Sequence, residues 1–149
     1  MTVLYAVARE ARRLVAGTGN KSELLLGYFT KYGDGGVDLL PIGDLYKTDV
    51  WALAETLGLP KAVRERTPTA GFWVGQTDEG ELGLPYRDVD RILRRLELLE
   101  REEEIVRETG LPAATVRALL ARVDLHRHKR RLPPVAKVGL RTVGLDWRE

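Results

Sequence analysis

Cysteine is absent and histidine nearly so, which removes much of protein chemistry before any motif is read. Without cysteine there are no disulfides, no thiolate nucleophile and no Cys-type zinc site. His126 and His128, with one residue between them, leave few imidazole ligands for a transition metal. Asn20, Gln76 and Met1 are each the only residue of their kind, a thinning of labile side chains that fits a thermophilic origin. Long hydrophobic runs are lacking too. Nothing approaches the roughly 20 apolar residues needed to cross a bilayer, and Met1-Thr2-Val3-Leu4 has neither the basic start nor the small-residue cleavage site of a signal peptide. A cytoplasmic protein without a membrane partner is therefore expected. Nor does one sign of charge dominate: 24 basic against 22 acidic side chains leave a formal +2, which requires no polyanionic partner. The chemistry left to this chain uses carboxylates, hydroxyls and cations.

What is present suits one compact domain of 149 residues with 44% hydrophobic side chains. Val3 to Leu14 alternates apolar and charged positions at helical spacing, then Leu14-Val15-Ala16 runs into Gly17-Thr18-Gly19, predicting helix, short strand and turn. Asn20 is placed to cap a second helix through Leu26. Val37 to Ile42 predicts a second strand. Asp44 is then expected to cap a third helix, with Val50, Leu53, Ala54 and Leu57 on one face and Gly58-Leu59-Pro60 as its stop. Strand, helix, strand, helix is the grammar of an α/β fold with a parallel sheet and flanking helices. Two strands leave such a sheet incomplete, since both faces and both edges need cover. Thr67 to Pro85 reads as a long functional loop. The rest is helical: Val89, Ile92, Leu93, Leu96 and Leu99 form one apolar stripe, and Ala113, Val116, Leu119, Leu120 and Val123 another. Leu132 to Glu149 reads as an extended tail.

Lys47 carries the sharpest signal. A cation in the first turn of a helix opposes the helix dipole, where Asp or Glu would be natural. After a strand and beside unpaired N–H groups it points to an anion, phosphate first among them; a solvated lysine offset by Asp44 or Asp49 is the plain alternative. Glu23 admits two readings. Three residues after Asn20 it has capping-box spacing, and it also suits a magnesium ion, which takes one or two protein carboxylates and keeps its waters. Gly17-Thr18-Gly19-Asn20-Lys21-Ser22 is neither a P-loop nor a dinucleotide fingerprint, yet a strand-glycine-helix junction is where α/β sheets bind nucleotides. Lys31-Tyr32-Gly33-Asp34-Gly35-Gly36 is either a tight connection or a close approach of backbone to ligand. Arg127-His128-Lys129-Arg130-Arg131 either pairs with a helix C-terminus or holds a phosphate or nucleic acid.

Taken in order and spacing, Gly17 to Glu23, Gly27 to Gly36 and Pro41 to Thr48 closely resemble NAD synthetases. The resemblance continues through Thr67-Pro68-Thr69-Ala70-Gly71, Asp78-Glu79-Gly80-Glu81-Leu82-Gly83 and His128-Lys129-Arg130, covering nearly the whole chain except the tail. It implies an adenine-nucleotide α-hydrolase-like fold in a homodimer. It also implies that Thr18, Lys47 and Thr69 contact ATP, that Glu23 binds Mg2+, and that Lys31, Asp38, His128 and Lys129 hold deamido-NAD. The reaction implied is amidation of deamido-NAD to NAD with ammonia, through an acyl-adenylate. The family's Ser-Gly-Gly-x-Asp-Ser pyrophosphate loop is absent, so residues 1–149 are expected to be the C-terminal portion of a single synthetase domain, inactive without the other half. The competing reading is a helix-turn-helix DNA-binding module over residues 104–131, which leaves the first 85 residues unexplained.

Overall fold

The structure is a computed structural model that describes residues 1–146; of the expected tail, residues 147–149 lie outside the described residues. The order of elements is α1 (Thr2–Ala11), α2 (Lys21–Leu26), α3 (Lys47–Thr56), α4 (Lys61–Arg64), α5 (Asp78–Leu82), α6 (Tyr86–Glu97), α7 (Glu102–Thr109), α8 (Ala113–Leu125) and a 3-10 turn (His126–Arg130).

Why helices form and stop here is largely local. Asn20 Oδ1 accepts the Glu23 N–H at 3.0 Å while Glu23 Oε2 accepts the Asn20 N–H at 3.1 Å, so both orphan donors at the start of α2 are satisfied. Gly27 ends α2 at φ 64°, and its missing side chain matters, because a Cβ there would lie 2.2 Å from the His126 Cβ. Gly58, Gly83 and Gly110 all take left-handed φ, of 65°, 72° and 70°, so the three Gly-Leu-Pro tripeptides do punctuate helices. Several boundaries depart from the sequence reading. α1 stops at Ala11, with Arg12 left-handed at φ 53°. The expected apolar stripe ends before Leu99, which has φ 61° and is exposed. The loop from Thr67 to Pro85 contains α5, capped by the Thr77 hydroxyl accepting the Gly80 N–H.

The expected parallel sheet is reduced, among the described residues, to one parallel bridge between Ala16 and Leu39. Gly17 N–H donates to Leu39 O at 2.8 Å and Asp38 N–H to Val15 O at 3.0 Å. Pairing goes no further: Pro41 has no N–H to donate, and neither segment has a second neighbour to extend the ladder. α1 correspondingly buries no residue, leaving Val3, Leu4 and Val7 exposed.

The core lies instead among the helices. α6 supplies Tyr86, Val89, Ile92 and Leu93, all fully buried, against Leu26 of α2, Ile105 of α7 and Val116 of α8. Burying each large aliphatic side chain is worth about 1.5–3 kcal/mol, so α6 is the element around which the others organise. α3 is different: none of its residues is buried, and of its expected apolar face Val50 and Ala54 line a cleft while Leu57 is exposed.

Candidate functional site

The cleft beside α3 has a volume of about 450 Å3, and its walls include Thr18, Glu23, Lys47 and Thr69. These come from the turn after Ala16, from α2, from α3 and from the segment before α5. Lys47 Nζ and Glu23 Oε1 form an ion pair at 3.0 Å, each side chain below 20% exposed. Glu23 therefore takes its capping-box reading through one oxygen, while the other pairs with Lys47. Thr69 Oγ1 accepts the Gly71 N–H at 3.1 Å, and Thr18 is exposed at the rim.

The start of α3 is not as expected. Tyr46, not Asp44, is the cap residue; Asp44 is solvated and pairs with Lys21 at 3.1 Å. The first N–H groups are not free either. Lys47 N–H donates to Ser22 Oγ at 2.9 Å, Thr48 N–H to Asp90 Oδ2 at 2.8 Å and Tyr46 N–H to Asp49 Oδ2 at 3.2 Å. An anion at this place would thus meet the Lys47 ammonium rather than the helix terminus itself. Behind it, Ser22 Oγ–H donates to Asp90 Oδ1 at 2.5 Å, with both residues buried. The sequence offered no sign that Asp90, on an otherwise amphipathic helix, would reach across to α3.

A second cleft, of about 720 Å3, lies between α1, the glycine-rich turn and the basic 3-10 turn. Lys31 and Lys129 line it, joined by Tyr5, Tyr32 and Arg130. Asp38 stands at its margin, accepting from the Tyr5 hydroxyl at 3.2 Å and from Val15 N–H at 2.7 Å. His128 is exposed and reaches Lys31 only through its carbonyl, which accepts the Lys31 Nζ–H at 2.9 Å.

The basic cluster is used as a clasp. Lys129 Nζ donates to Gly27 O and Phe29 O at 2.7 and 2.8 Å, and Arg130 donates to Leu25 O at 2.6 Å and Val123 O at 2.8 Å. Leu25 and Val123 offer carbonyls left over in last helical turns and Gly27 ends α2, where cations are favoured, while Phe29 lies in the turn beyond. Burial holds the Arg130 guanidinium below its ordinary pKa. With two of its cations committed to backbone carbonyls, the cluster has fewer charges left for the nucleic acid that the helix-turn-helix alternative requires.

Asp78 and the tyrosines around it were missed as separate features, although Asp78 lies inside one of the stretches that carry the resemblance. Asp78 is 4% exposed and accepts from the Tyr86 hydroxyl at 3.2 Å through Oδ2. Burial first, then the charges of Glu23 and Asp78, pushes the Tyr86 phenol far above its usual pKa, so it remains a neutral donor.

The NAD synthase family matches residues 1–133 of this chain. Over 138 residues the chain is 49% identical to an NH(3)-dependent NAD(+) synthetase of Methanosarcina acetivorans, covering 93% of this chain and 54% of that protein. Among solved structures it is similar to an NMN synthetase of Francisella tularensis, with a TM-score of 0.75 and 34% identity, over 91% of this chain and 51% of that one. It is also similar to an NH3-dependent NAD synthetase of Campylobacter jejuni, with a TM-score of 0.71 and 31% identity, over 92% of this chain and 51% of that one. The chain thus spans about half the length of the curated relatives it matches. Among the described residues no helix is long and apolar enough to cross a membrane.

Proposed function

Because the chain belongs to the NAD synthase family, we propose that it forms part of a ligase that amidates deamido-NAD to NAD with ammonia at the expense of ATP. The observation that carries this reading is that Thr18, Glu23, Lys47 and Thr69, separated by up to 51 positions, converge on one cleft. In this reading that cleft takes ATP. The neighbouring cleft takes deamido-NAD, held by Lys31 and Lys129 with Asp38 and His128 at its margin. The nicotinate carboxylate oxygen attacks the α-phosphorus of ATP; the bond to the β-phosphate bridging oxygen breaks and pyrophosphate leaves. Ammonia then attacks the acyl carbon, AMP departs with its carboxylate-derived oxygen, and a proton is lost.

Lys47 does the electrostatic work this chain can supply. Its ammonium is already sequestered in the cleft and oriented by Glu23, so it can offset charge on the leaving pyrophosphate with little reorganisation. Mg2+ belongs to the same proposal, supplying further charge neutralisation on the polyphosphate. Its holder would be Glu23, whose half-buried carboxylate faces the cleft. Among the described residues no cluster of three or more His, Cys, Asp or Glu side chains could hold a metal, and this fits an ion shared with phosphates and water. A cytoplasmic homodimer completes the proposal, with sedimentation at working concentration as its test.

The deciding experiment joins this chain to the remainder of the family's length and assays NAD formation from deamido-NAD, ATP, Mg2+ and ammonium. Product is expected. A folded protein that forms none with all substrates present would overturn the reading.

A further inference from the structure

Asp78 Oδ1 is a buried carboxylate oxygen with no hydrogen-bond partner. A charged oxygen removed from water and left unpaired is costly, and each such atom in a folded protein needs a physical account. The neighbouring oxygen is satisfied by Tyr86, so the unmet demand lies on one atom of a side chain that forms part of the wall of the cleft beside α3.

No cation answers it. Lys47, the ammonium nearest the Tyr86 ring at 5.2 Å from its centroid, is committed to Glu23. Among the described residues Asp78 and Glu81 have no ion-pair partner: Glu81 accepts only neutral donors, the Tyr28 hydroxyl at 3.1 Å and Gln76 Nε2 at 2.5 Å. Arg122 lies 5.9 Å from the Tyr28 ring centroid and pairs with neither carboxylate. Tyr28 also lines the cleft, and since its O–H is donated to Glu81, its oxygen keeps lone pairs for another donor. Burial first, then the charge of Asp78, the hydrogen bond to Glu81 and its charge, and last a hydrogen bond to Asp78 raise the Tyr28 phenol above its ordinary pKa, so it stays a neutral hydroxyl beside both carboxylates.

We propose that Asp78 Oδ1 and the Tyr28 hydroxyl oxygen form a site for one small cation rich in hydrogen-bond donors, ammonium or a hydrated divalent metal ion. Both occupants offer positive charge with N–H or bound-water donors, and both answer the unpartnered oxygen. The site rests on the unpartnered Asp78 oxygen and on Tyr28 and Asp78 lining the same cleft. Only the naming of ammonium as the nitrogen donor held there rests on the amidation reading.

The test uses the 149-residue chain without nucleotide, so its outcome is separate from that of the NAD-forming assay. Thermal midpoints are recorded against ammonium chloride, magnesium chloride and tetramethylammonium chloride at matched ionic strength; the last carries charge but no N–H donor. A saturable rise with ammonium or magnesium over tetramethylammonium is expected. Asp78→Asn should weaken the apparent affinity by at least about tenfold, the scale of losing a hydrogen bond to a charged group. Response to ammonium alone assigns the site to the nitrogen donor, and response to magnesium alone assigns it to metal. No differential rise, or an undiminished rise in Asp78→Asn, overturns the proposal. Should Asp78→Asn fail to fold by circular dichroism, Tyr28→Phe decides: about threefold or greater weakening supports the site, and unchanged affinity overturns it.

Discussion

At the scale of single residues, Lys47 and Glu23 show how one side chain can serve a local and a distant purpose together. The capping box of α2 was legible because Asn20 and Glu23 lie three apart. The Glu23 to Lys47 ion pair was not, because it joins residues whose proximity depends on how α2 meets α3. In the full-length protein, Lys47→Met should lower turnover about a hundredfold or more, the usual scale for removing one well-placed electrostatic stabiliser. Near-normal steady-state rates in that variant would return Lys47 to a purely structural pairing. His126 gives a pH prediction. Burial, outweighing the hydrogen bond that the ring makes to the Arg122 carbonyl, lowers its pKa below the ordinary 6.5. Folding therefore disfavours the proton. The associated stability is fully present above about pH 6.5 and is lost as pH falls from there through the folded pKa. Melting temperatures of the chain should drop over that window, and His126→Gln should flatten the profile; parallel profiles for the two proteins would refute it.

At the scale of elements, the start of α3 is fixed by other helices. Ser22 from α2 and Asp90 from α6 receive its first N–H groups, so the position of Lys47 depends on a buried carboxylate that no local pattern marks. Asp90→Ala would leave the Thr48 N–H and the Ser22 hydroxyl without their acceptor. A loss of about 2–5 kcal/mol in urea unfolding is expected, and a change under 1 kcal/mol would show that the tether is dispensable. The expectation of Asp44 as cap failed for a related reason. Asp44 has the right chemistry, but the chain turns two residues later, once Tyr46 enters the core at 3% exposure. The stop after α3 fared better, because left-handed Gly58, two residues before Pro60, is a local instruction that packing seldom overrules. α2 also ends on a left-handed glycine, Gly27, which makes room for a neighbour. Gly27→Ala should cost about 1–3 kcal/mol from its backbone conformation alone, with the contact to His126 adding to it. A calorimetric midpoint within a degree of the parent would contradict this.

At the scale of the whole molecule, helical packing and the paired segments are unequally developed. α6, α7 and α8 share a dense core, whereas Val15 to Gly17 and Asp38 to Leu39 meet in one bridge, and α1 packs none of its apolar side chains away. About half the length of the relatives is not represented here, and the resemblance places a pyrophosphate-cradling loop outside this sequence. The isolated 149 residues are therefore expected to form no NAD from deamido-NAD, ATP, Mg2+ and ammonium; chromatographic detection of product above background would sink that expectation. In a chain completed to the length of the NH(3)-dependent relatives, glutamine is expected not to replace ammonium, as the resemblance to that branch implies. Efficient turnover on ammonia-free glutamine would refute it.

The amino-acid sequence by itself determined the capping box of α2, the stop after α3, the apolar stripes of α6 up to Leu96 and of α8, and family membership, because each is written in residues close along the chain or in motifs of set order. Tertiary structure alone decided that Thr18, Glu23, Lys47 and Thr69 share a cleft and that Lys129 and Arg130 donate to backbone carbonyls of α2, α8 and the turn after α2. It also decided that Asp78 keeps a buried oxygen unpaired. These depend on which groups meet after α2, α3, α6 and the 3-10 turn have packed. Hydrogen bonds and ion pairs between residues tens of positions apart leave no periodicity in the chain, so only the packed arrangement can show which donor finds which acceptor.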